Sequence, residues 1–209
     1  TKSFVKKYHA FDGKVTWMYN MQNLDDIVEK SKQKTYNFEK DKLNIITVSR
    51  ITKEKAHIRT LEILKELKDE GFKFVWHVVG SGDRYDEVKQ EAVNLGLEKE
   101  VVFYGNQVNP YGYVKCADVF LLCSYFEAAP MVYAEAMTLG VPVISTKTCS
   151  AEELVGEFGY VCENTKEALY ETIKHVLENK KELSKKKELV KKYKFDNNDI
   201  KQRFYEICK

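Results

Sequence analysis

The segment from Asp118 to Thr146 reads DVFLLCSYFEAAPMVYAEAMTLGVPVIST, and its pattern decides the fold. Two apolar runs within it, Asp118 to Ser124 and Val141 to Thr146, have the length and composition of buried strands. Pro130 suits the first position of a helix and Gly140 suits the residue just past a helix end, so a short helix is predicted between the runs. A strand, a helix and a second strand in this order indicate a right-handed crossover and a parallel sheet.

The same alternation of strands and helices extends to both sides of this segment. We predict further strands at Leu43–Ser49, Phe72–Val79, Val101–Tyr104 and Gly159–Cys162, and helices at His57–Glu70, Asp83–Leu95, after Pro110 and at Ala151–Val155. Six strands that alternate with helices predict an α/β fold. We expect a doubly wound, Rossmann-like, six-stranded parallel sheet with helices on both faces.

The two ends of the chain differ from its middle. We divide the chain into a linker or N-terminal extension at residues 1–40, a Rossmann-like ligand-binding domain at 41–180 and C-terminal helices at 181–209. The extension includes a short helix, Leu24 to Lys32, which Asn23 would cap. The chain begins with Thr1 rather than Met, which fits a fragment of a longer protein, although processing would also explain it.

Composition narrows the function classes. The 209 residues, 44% hydrophobic and 32% charged, are enough for one core and are typical of a globular protein. The net charge of +2 gives no reason to expect nucleic acid as a partner. Because no signal peptide or membrane-spanning run is seen, we expect a cytoplasmic protein. The five cysteines are scattered without a C-x-x-C pair, so we predict a reducing compartment and no metal site.

The C-terminal tail is helical and strongly basic. The lysines that make it basic include Lys180, Lys181, Lys185, Lys186, Lys187, Lys191, Lys192 and Lys194. A solvated helix face is the simpler interpretation of such a run. The alternative is peripheral contact with the anionic inner face of a membrane.

Residues that suit a diphosphate follow the predicted strands at their carboxyl ends, where open α/β sheets bind ligands. Arg50 and Lys55 follow the first strand and could neutralise phosphate charge, although ordinary turn chemistry is an alternative. Gly80 ends the second strand in a Gly-x-Gly turn without the third glycine of a dinucleotide fingerprint, so we expect neither nicotinamide nor flavin. Amides near Met131 and Val132 suit an anion. Backbone groups after the third strand could meet a nucleobase at Asn106, Gln107 and Val108.

Two glutamates, Glu127 and Glu135, are the most informative polar residues. Glu127 lies in the loop after a strand, and Glu135 lies inside a helix whose neighbours are nearly all apolar. A carboxylate there is costly unless something donates a hydrogen bond to it, and sugar or ribose hydroxyls are suitable donors. The alternatives are an ion pair of Glu135 with Lys147 or Arg50 and a helix-capping role for Glu127.

The order of these motifs resembles that of family 4 glycosyltransferases. The chain shows Arg-x4-Lys after a strand, Gly-x-Gly after the next, FYGNQV at residues 103–108, then ADVFLLCS, Glu-x7-Glu and GVPVI. The resemblance runs from about Asn20 to the C-terminus and is most specific from Ala117 to Ser145. It implies the GT-B architecture, in which two Rossmann-like domains face each other across a cleft. This chain resembles the carboxyl-terminal, donor-binding half, and the acceptor-binding N-terminal domain is missing from it.

By this resemblance the chain would come from a retaining, metal-independent transferase of the hexosyltransferase type. The substrate would be a UDP- or GDP-linked sugar, with no cofactor, and surface polysaccharide synthesis is one setting. Arg50 and Lys55 would hold the diphosphate, Glu127 would be the catalytic residue that binds the transferred sugar, and Glu135 would bind the ribose. The alternatives are a sugar-nucleotide epimerase of the same architecture, a non-catalytic nucleotide-sugar-binding subunit and a plain interaction domain.

Four positions depart from the family pattern. Ala128 and Ala129 stand where a glycine usually follows the first glutamate, and Ser49 and Ala56 replace glycines beside the arginine and the lysine. Alanine disfavours positive φ, so we expect a changed pose of the loop that carries Ala128 and Ala129, whereas the Ser49 and Ala56 exchanges are small.

Overall fold

A computed structural model describes residues 18–208 of the chain. The predicted N-terminal extension begins in residues 1–17, which lie outside the described residues. Within the described range, residues 24–193 form one compact unit. The described part of a second unit consists of residues 18–23 and 194–208.

Six parallel strands form a single sheet in the larger unit. They are β1 (Leu43–Val48), β2 (Phe74–Val79), β3 (Val101–Gly105), β4 (Val119–Leu122), β5 (Val143–Thr146) and β6 (Gly159–Cys162). Their order across the sheet is β3-β2-β1-β4-β5-β6, which is the doubly wound order, so the predicted sheet is confirmed. The chain order reverses between β1 and β4, and such a reversal leaves a ligand-binding crevice at the carboxyl ends of the two strands.

Helices cover both faces of this sheet, as predicted. They are α1 (Leu24–Lys32), α2 (His57–Asp69), α3 (Tyr85–Asn94), α4 (Tyr111–Cys116), α5 (Val132–Thr138), α6 (Ala151–Val155), α7 (Lys166–Glu178) and α8 (Lys180–Val190), with α9 (Asn197–Ile207) in the smaller unit. Residues of α2, α3 and α7 pack in one apolar cluster, and residues of α4, α5 and α6 pack in another. No helix of residues 18–208 has both the length and the apolar character that crossing a membrane requires.

Burial on both faces of the sheet explains why the strand sequences are continuous apolar runs. Ile45 and Ile46 are consecutive in β1 and both fully buried, yet they belong to different clusters because alternate side chains point to opposite faces. Each such side chain stabilises the fold by about 1.5–3 kcal/mol. The sheet is therefore a rigid frame for the loops at its carboxyl edge.

Helix α5 begins later than the sequence predicts. Pro130 precedes it, Met131 is the capping residue and Val132 is the first helical residue, so the prediction of Pro130 at the first position is wrong. Proline is compatible with a helix start but does not fix its position, because the amide that it lacks would have no partner within the first turn in any case. The predicted end is confirmed: Gly140 has φ +78° and donates to the Met137 carbonyl at 3.0 Å.

In the smaller unit, side chains fix the start of α9. Asp196 accepts a hydrogen bond from the Asn198 amide at 2.8 Å, which caps the helix. Asn197 accepts from the Gln22 amide at 3.0 Å and donates to the Gln22 carbonyl at 2.7 Å. These bonds join the two chain segments of this unit.

Candidate functional site

The crevice between β1 and β4 brings together residues that lie far apart in sequence. Lys55, after β1, forms a salt bridge with Glu127, after β4, between Nζ and Oε1. The Ser124 hydroxyl donates to the same carboxylate oxygen at 2.7 Å. The side chains of Lys55 and Glu127 are only 18% and 11% exposed, so the pair is screened less by water than a surface salt bridge.

The loop that carries Glu127 is tied down on two sides. The Tyr125 amide donates to the Glu54 carbonyl at 2.8 Å, which joins this loop to the loop after β1. The Thr146 hydroxyl donates to the Ser124 carbonyl at 2.7 Å, which joins it to the end of β5. The Glu127 carboxylate therefore has a fixed position before any ligand binds.

Glu135 has a different environment in α5. It is half-buried, and burial raises the pKa of its carboxyl above the ordinary value of 4.5. Within residues 18–208 its carboxylate accepts no hydrogen bond and forms no salt bridge. Lys147 instead pairs with Glu152 and Glu163, at 3.1 Å each. The alternative of an ion pair between Glu135 and Lys147 is wrong.

Two further alternatives from the sequence concern Glu127 and Arg50. The residue before α5, Met131, does not cap the helix with its own side chain, and the capping role for Glu127 stays an alternative. Arg50 is exposed directly after β1, and its guanidinium forms no hydrogen bond or salt bridge in the part of the chain that the structure describes. Of the two cations predicted after β1, Lys55 is thus paired with Glu127, and Arg50 is exposed without a hydrogen bond or salt bridge from residues 18–208.

The sequence of the chain matches that of a known protein family. Residues 28–194 match the sequence model of a family described as glycosyl transferases group 1. The chain belongs to the group 1 glycosyl transferases. The predicted family is therefore confirmed.

Relatives of this glycosyl transferase chain include bacterial enzymes of glycan synthesis. It is 29% identical over 184 residues to the N-acetylgalactosamine-N,N'-diacetylbacillosaminyl-diphospho-undecaprenol 4-alpha-N-acetylgalactosaminyltransferase of Campylobacter jejuni, covering 86% of this chain and 49% of the relative. It is 36% identical over 78 residues to the lipopolysaccharide 1,6-galactosyltransferase of Salmonella typhimurium, covering 35% and 22%. The chain thus spans half or less of the length of these relatives.

Solved structures show the same fold. HepE of Anabaena, in complex with UDP-glucose, superimposes with a TM-score of 0.72 at 21% identity, over 92% of this chain and 57% of that one. WaaG, a glycosyltransferase involved in lipopolysaccharide biosynthesis, superimposes with a TM-score of 0.71 at 22% identity, over 90% and 51%. The predicted GT-B fold class is confirmed.

The glycine turn of this family member follows β2 and depends on a close backbone approach. Gly80 has φ +139°, and a Cβ atom on it would lie 1.9 Å from the Ser49 carbonyl oxygen. Gly82 is equally restricted, because a Cβ there would lie 2.3 Å from the Ile51 carbonyl oxygen. Glycine at both positions lets the β2 turn pack against the segment that carries Arg50.

The departures from the family glycines have unequal consequences. Ala56, beside Lys55, has φ +55° and is the one non-glycine residue with positive φ among residues 18–208. A left-handed alanine costs roughly 1–2 kcal/mol. Ala128 and Ala129, beside Glu127, do not adopt positive φ. The alanine with positive φ therefore lies next to Lys55, where we expected only a small exchange, and not in the loop of Glu127.

The remaining predicted residues lie at the same carboxyl edge of the sheet. Gln107, after β3, donates to the Tyr104 carbonyl at 2.7 Å, while Asn106 and Val108 are exposed. Met131 and Val132 lie at the start of α5, and Met131 is 40% exposed. In residues 18–208, no group of three or more His, Cys, Asp or Glu side chains could hold a metal ion.

Sequence reasoning missed three polar residues behind the site. Ser124 had no role, although it stands three residues before Glu127. His57 is 2% exposed, and burial lowers its pKa to about 4, with a contribution from the Lys55 charge, so it is neutral at pH 7. Arg59 is 7% exposed. Its spacing from Ile63 and Leu67 placed it on the apolar stripe of α2, a signal that could have identified it.

Proposed function

We propose that this chain is the donor-binding half of a retaining, metal-independent glycosyltransferase that uses a nucleotide-diphosphate sugar. One observation carries the proposal. Lys55, after β1, is bonded to Glu127, after β4, at the reversal in strand order, and the exposed Arg50 also follows β1. Open α/β sheets bind nucleotides at such a position.

The chemistry follows from the charges. When the bond between sugar and diphosphate breaks, negative charge builds on the leaving phosphate, and fixed cations stabilise it without reorganisation. The Lys55 ammonium has three donors, of which Glu127 takes one, so two stay available for phosphate oxygens. Arg50 adds a planar donor fork that suits phosphate. These two cations are our reason for proposing a reaction without a metal ion.

The two glutamates receive different tasks. Glu127, next to the cations, would contact the transferred sugar and stabilise positive charge on its ring carbon as the leaving group departs. Glu135, half-buried and without a partner in the described residues, would accept hydrogen bonds from the ribose hydroxyls. Two relatives are named for the transfer of hexose-type sugars, which favours a hexosyl donor here.

A binding experiment on this chain tests the proposal. A thermal-shift and calorimetric screen of UDP, GDP and their sugar conjugates should find one nucleotide that binds. Arg50→Met should weaken that binding about tenfold, because a hydrogen bond to a charged group contributes about 1.5–3 kcal/mol. Lys65→Met, which removes an α2 cation paired with Asp69, is the matched control and should bind like the wild type. Absence of binding to every nucleotide diphosphate would reject the proposal in favour of an interaction domain.

Activity assays on the full-length protein separate the two enzymatic alternatives. Transfer to an acceptor with retained anomeric configuration and in the presence of EDTA is the expected result. Epimerisation of the donor without an acceptor would identify an epimerase, and donor binding without transfer or hydrolysis would identify a binding subunit. We further propose that residues 1–209 alone bind the donor weakly and transfer nothing, because they would supply only one side of the cleft.

Membrane contact through the basic helix α8 stays a prediction. Two lysines of α8 have partners: Lys186 donates to the Glu157 carbonyl at 3.0 Å, and Lys187 pairs with Asp118 at 2.6 Å. Lys191, just after the helix, pairs with Glu188 at 2.5 Å. Binding to vesicles that contain anionic lipid, compared with neutral vesicles, would test the remaining lysines.

A further inference from the structure

Arg59 is a buried cation that no carboxylate neutralises. It is 7% exposed on α2, and among residues 18–208 its guanidinium forms no salt bridge. Its Nε atom is buried and has no hydrogen-bond partner in the structure. A buried charge without a counter-ion is costly to a protein's stability. Such a residue is better explained by what it holds in place than by a contribution to stability.

Arg59 contacts the segment that follows β4 and one asparagine that also binds this segment. Nη2 donates to the Cys123 carbonyl, Nη1 donates to the Asn164 side-chain oxygen at 2.9 Å, and the guanidinium carbon lies 4.3 Å from the centre of the Tyr125 ring. Cys123 is the first residue after β4, and Tyr125 is two residues before Glu127. Arg59 thus binds the start of the loop that carries Glu127.

Asn164, after β6, binds the same loop as Arg59. Its side-chain amide donates to the Ser124 carbonyl at 3.2 Å and to the Tyr125 carbonyl at 3.0 Å. Arg59 and Asn164 therefore hold three consecutive residues, 123–125, and are bonded to each other. The Ser124 hydroxyl then donates to the Glu127 carboxylate at 2.7 Å. Arg59 is thus connected to Glu127 through two residues: it binds Asn164, Asn164 binds Ser124, and Ser124 binds the glutamate.

We propose that Arg59 and Asn164 are positioning residues that set where the Glu127 carboxylate stands relative to the transferred sugar. This inference rests on the proposed function of the site. Within residues 18–208 the pair forms no hydrogen bond with the Lys55 or Arg50 side chain, so its removal leaves both cations present and acts on them only through the salt bridge of Lys55 with Glu127. Displacement of a reacting group by about 1 Å can lower a rate by about a hundredfold, so the contacts that fix this loop can have a large effect on turnover.

The test compares variants of the full-length protein. Arg59→Met and Asn164→Ala are measured beside two controls, Lys65→Met on the exposed side of α2 and Asn94→Ala on α3, which removes an exposed asparagine bonded only to α3 neighbours. Calorimetry gives the Kd of UDP and of GDP and the Kd of a panel of their sugar conjugates. Steady-state kinetics gives kcat with the conjugate that the wild type uses.

We expect the two site variants to weaken binding of the sugar part of the donor and to leave binding of the nucleotide part nearly unchanged. Both site variants should bind the nucleotide diphosphate within about twofold of the wild type, because Arg50 and Lys55 are intact. The ratio of the Kd of the sugar conjugate to the Kd of the nucleotide should rise at least about fivefold, and kcat should fall at least about tenfold. The double variant should lose no more than the worse single variant, since both residues act through one loop.

Two outcomes overturn the inference in distinguishable ways. If Asn164→Ala keeps the wild-type Kd ratio and kcat, the inference is wrong while the proposed function stands. Asn164 is only half-buried, so this variant remains informative even if Arg59→Met does not fold. If the wild-type protein binds no nucleotide diphosphate and no conjugate, the proposed function fails first, and the inference fails with it.

Discussion

Glu127 and Glu135 are eight residues apart, and the fold treats them in opposite ways. Glu127 accepts from Lys55 and Ser124, in a loop fastened to the ends of β1 and β5. Glu135 is half-buried in α5 with no hydrogen bond to its carboxylate from residues 18–208, and its pKa is raised by burial alone. The difference teaches that one carboxylate is satisfied within the protein, while the other is left with unused acceptor capacity.

This difference separates the expected roles of the two residues. A carboxylate fixed by its own protein is suited to a step in which charge develops at a defined position. A carboxylate that lacks protein donors gains more from ligand hydroxyls, because binding removes a cost that the free protein carries. Four measurements can break or sharpen the comparison.

The largest expected effect is on turnover. Glu127→Ala in the full-length protein should lower kcat/KM by about one to two powers of ten, since it removes a hydrogen bond to a charged group in the transition state. Glu163→Ala, which removes an exposed glutamate paired with Lys147, is the matched control and should leave kcat/KM unchanged. Wild-type turnover in Glu127→Ala would remove this residue from the mechanism.

The second effect is on stability, and here the two glutamates should differ in sign or in size. Glu127→Ala leaves the Lys55 ammonium, 18% exposed, without its carboxylate, and should lower the free energy of unfolding by about 1–3 kcal/mol. Glu135→Ala removes a half-buried carboxylate that has no protein partner to lose, so it should not destabilise by a comparable amount. Equal losses in urea unfolding would contradict the comparison.

The third effect is on affinity. Glu135→Ala should weaken binding of the nucleotide diphosphate about tenfold, because about 1.5 kcal/mol of hydrogen bonding to the ribose is lost. The same substitution should leave binding of inorganic pyrophosphate unchanged, since pyrophosphate has no ribose. A parallel loss for both ligands, measured by calorimetry, would place Glu135 near the phosphates instead.

The smallest effect is a pH dependence of stability. A carboxyl with a raised pKa in the folded state binds more protons there than in the unfolded state, so its contribution to stability falls as pH rises above the ordinary value of 4.5. Glu135→Gln should therefore stabilise the protein at neutral pH and have no such advantage well below pH 4.5. Unfolding curves that differ equally at both pH values would show that the carboxyl is not desolvated.

Much of the fold could be predicted from local pattern. The apolar runs gave all six strands within about two residues at each end, and Ala151–Val155 and Gly159–Cys162 have the predicted bounds. The start of α5 was wrong because Pro130 is compatible with several starting points, whereas Gly140 marked the end correctly since only a left-handed residue closes the helix there.

The site was predictable in its residue types and less so in its contacts. Arg50, Lys55 and Glu127 could be nominated because each follows a strand. That Lys55 rather than Arg50 pairs with Glu127, and that Lys147 turns away from Glu135, depends on how loops from different strands pack. Arg59 was missed because a charged residue on a helix is ordinarily expected to be exposed, even where its spacing places it on the apolar stripe.

The amino-acid sequence by itself determined the alternation of strands and helices, the family and the residues available at the carboxyl edge, because periodicity and motif order are local properties of the chain. The tertiary structure alone decided how the loops after β1 and β4 pack, and so which cation meets which carboxylate. Strand order and loop packing arise from burying two apolar faces at once, and that requirement is met only when the whole chain is folded.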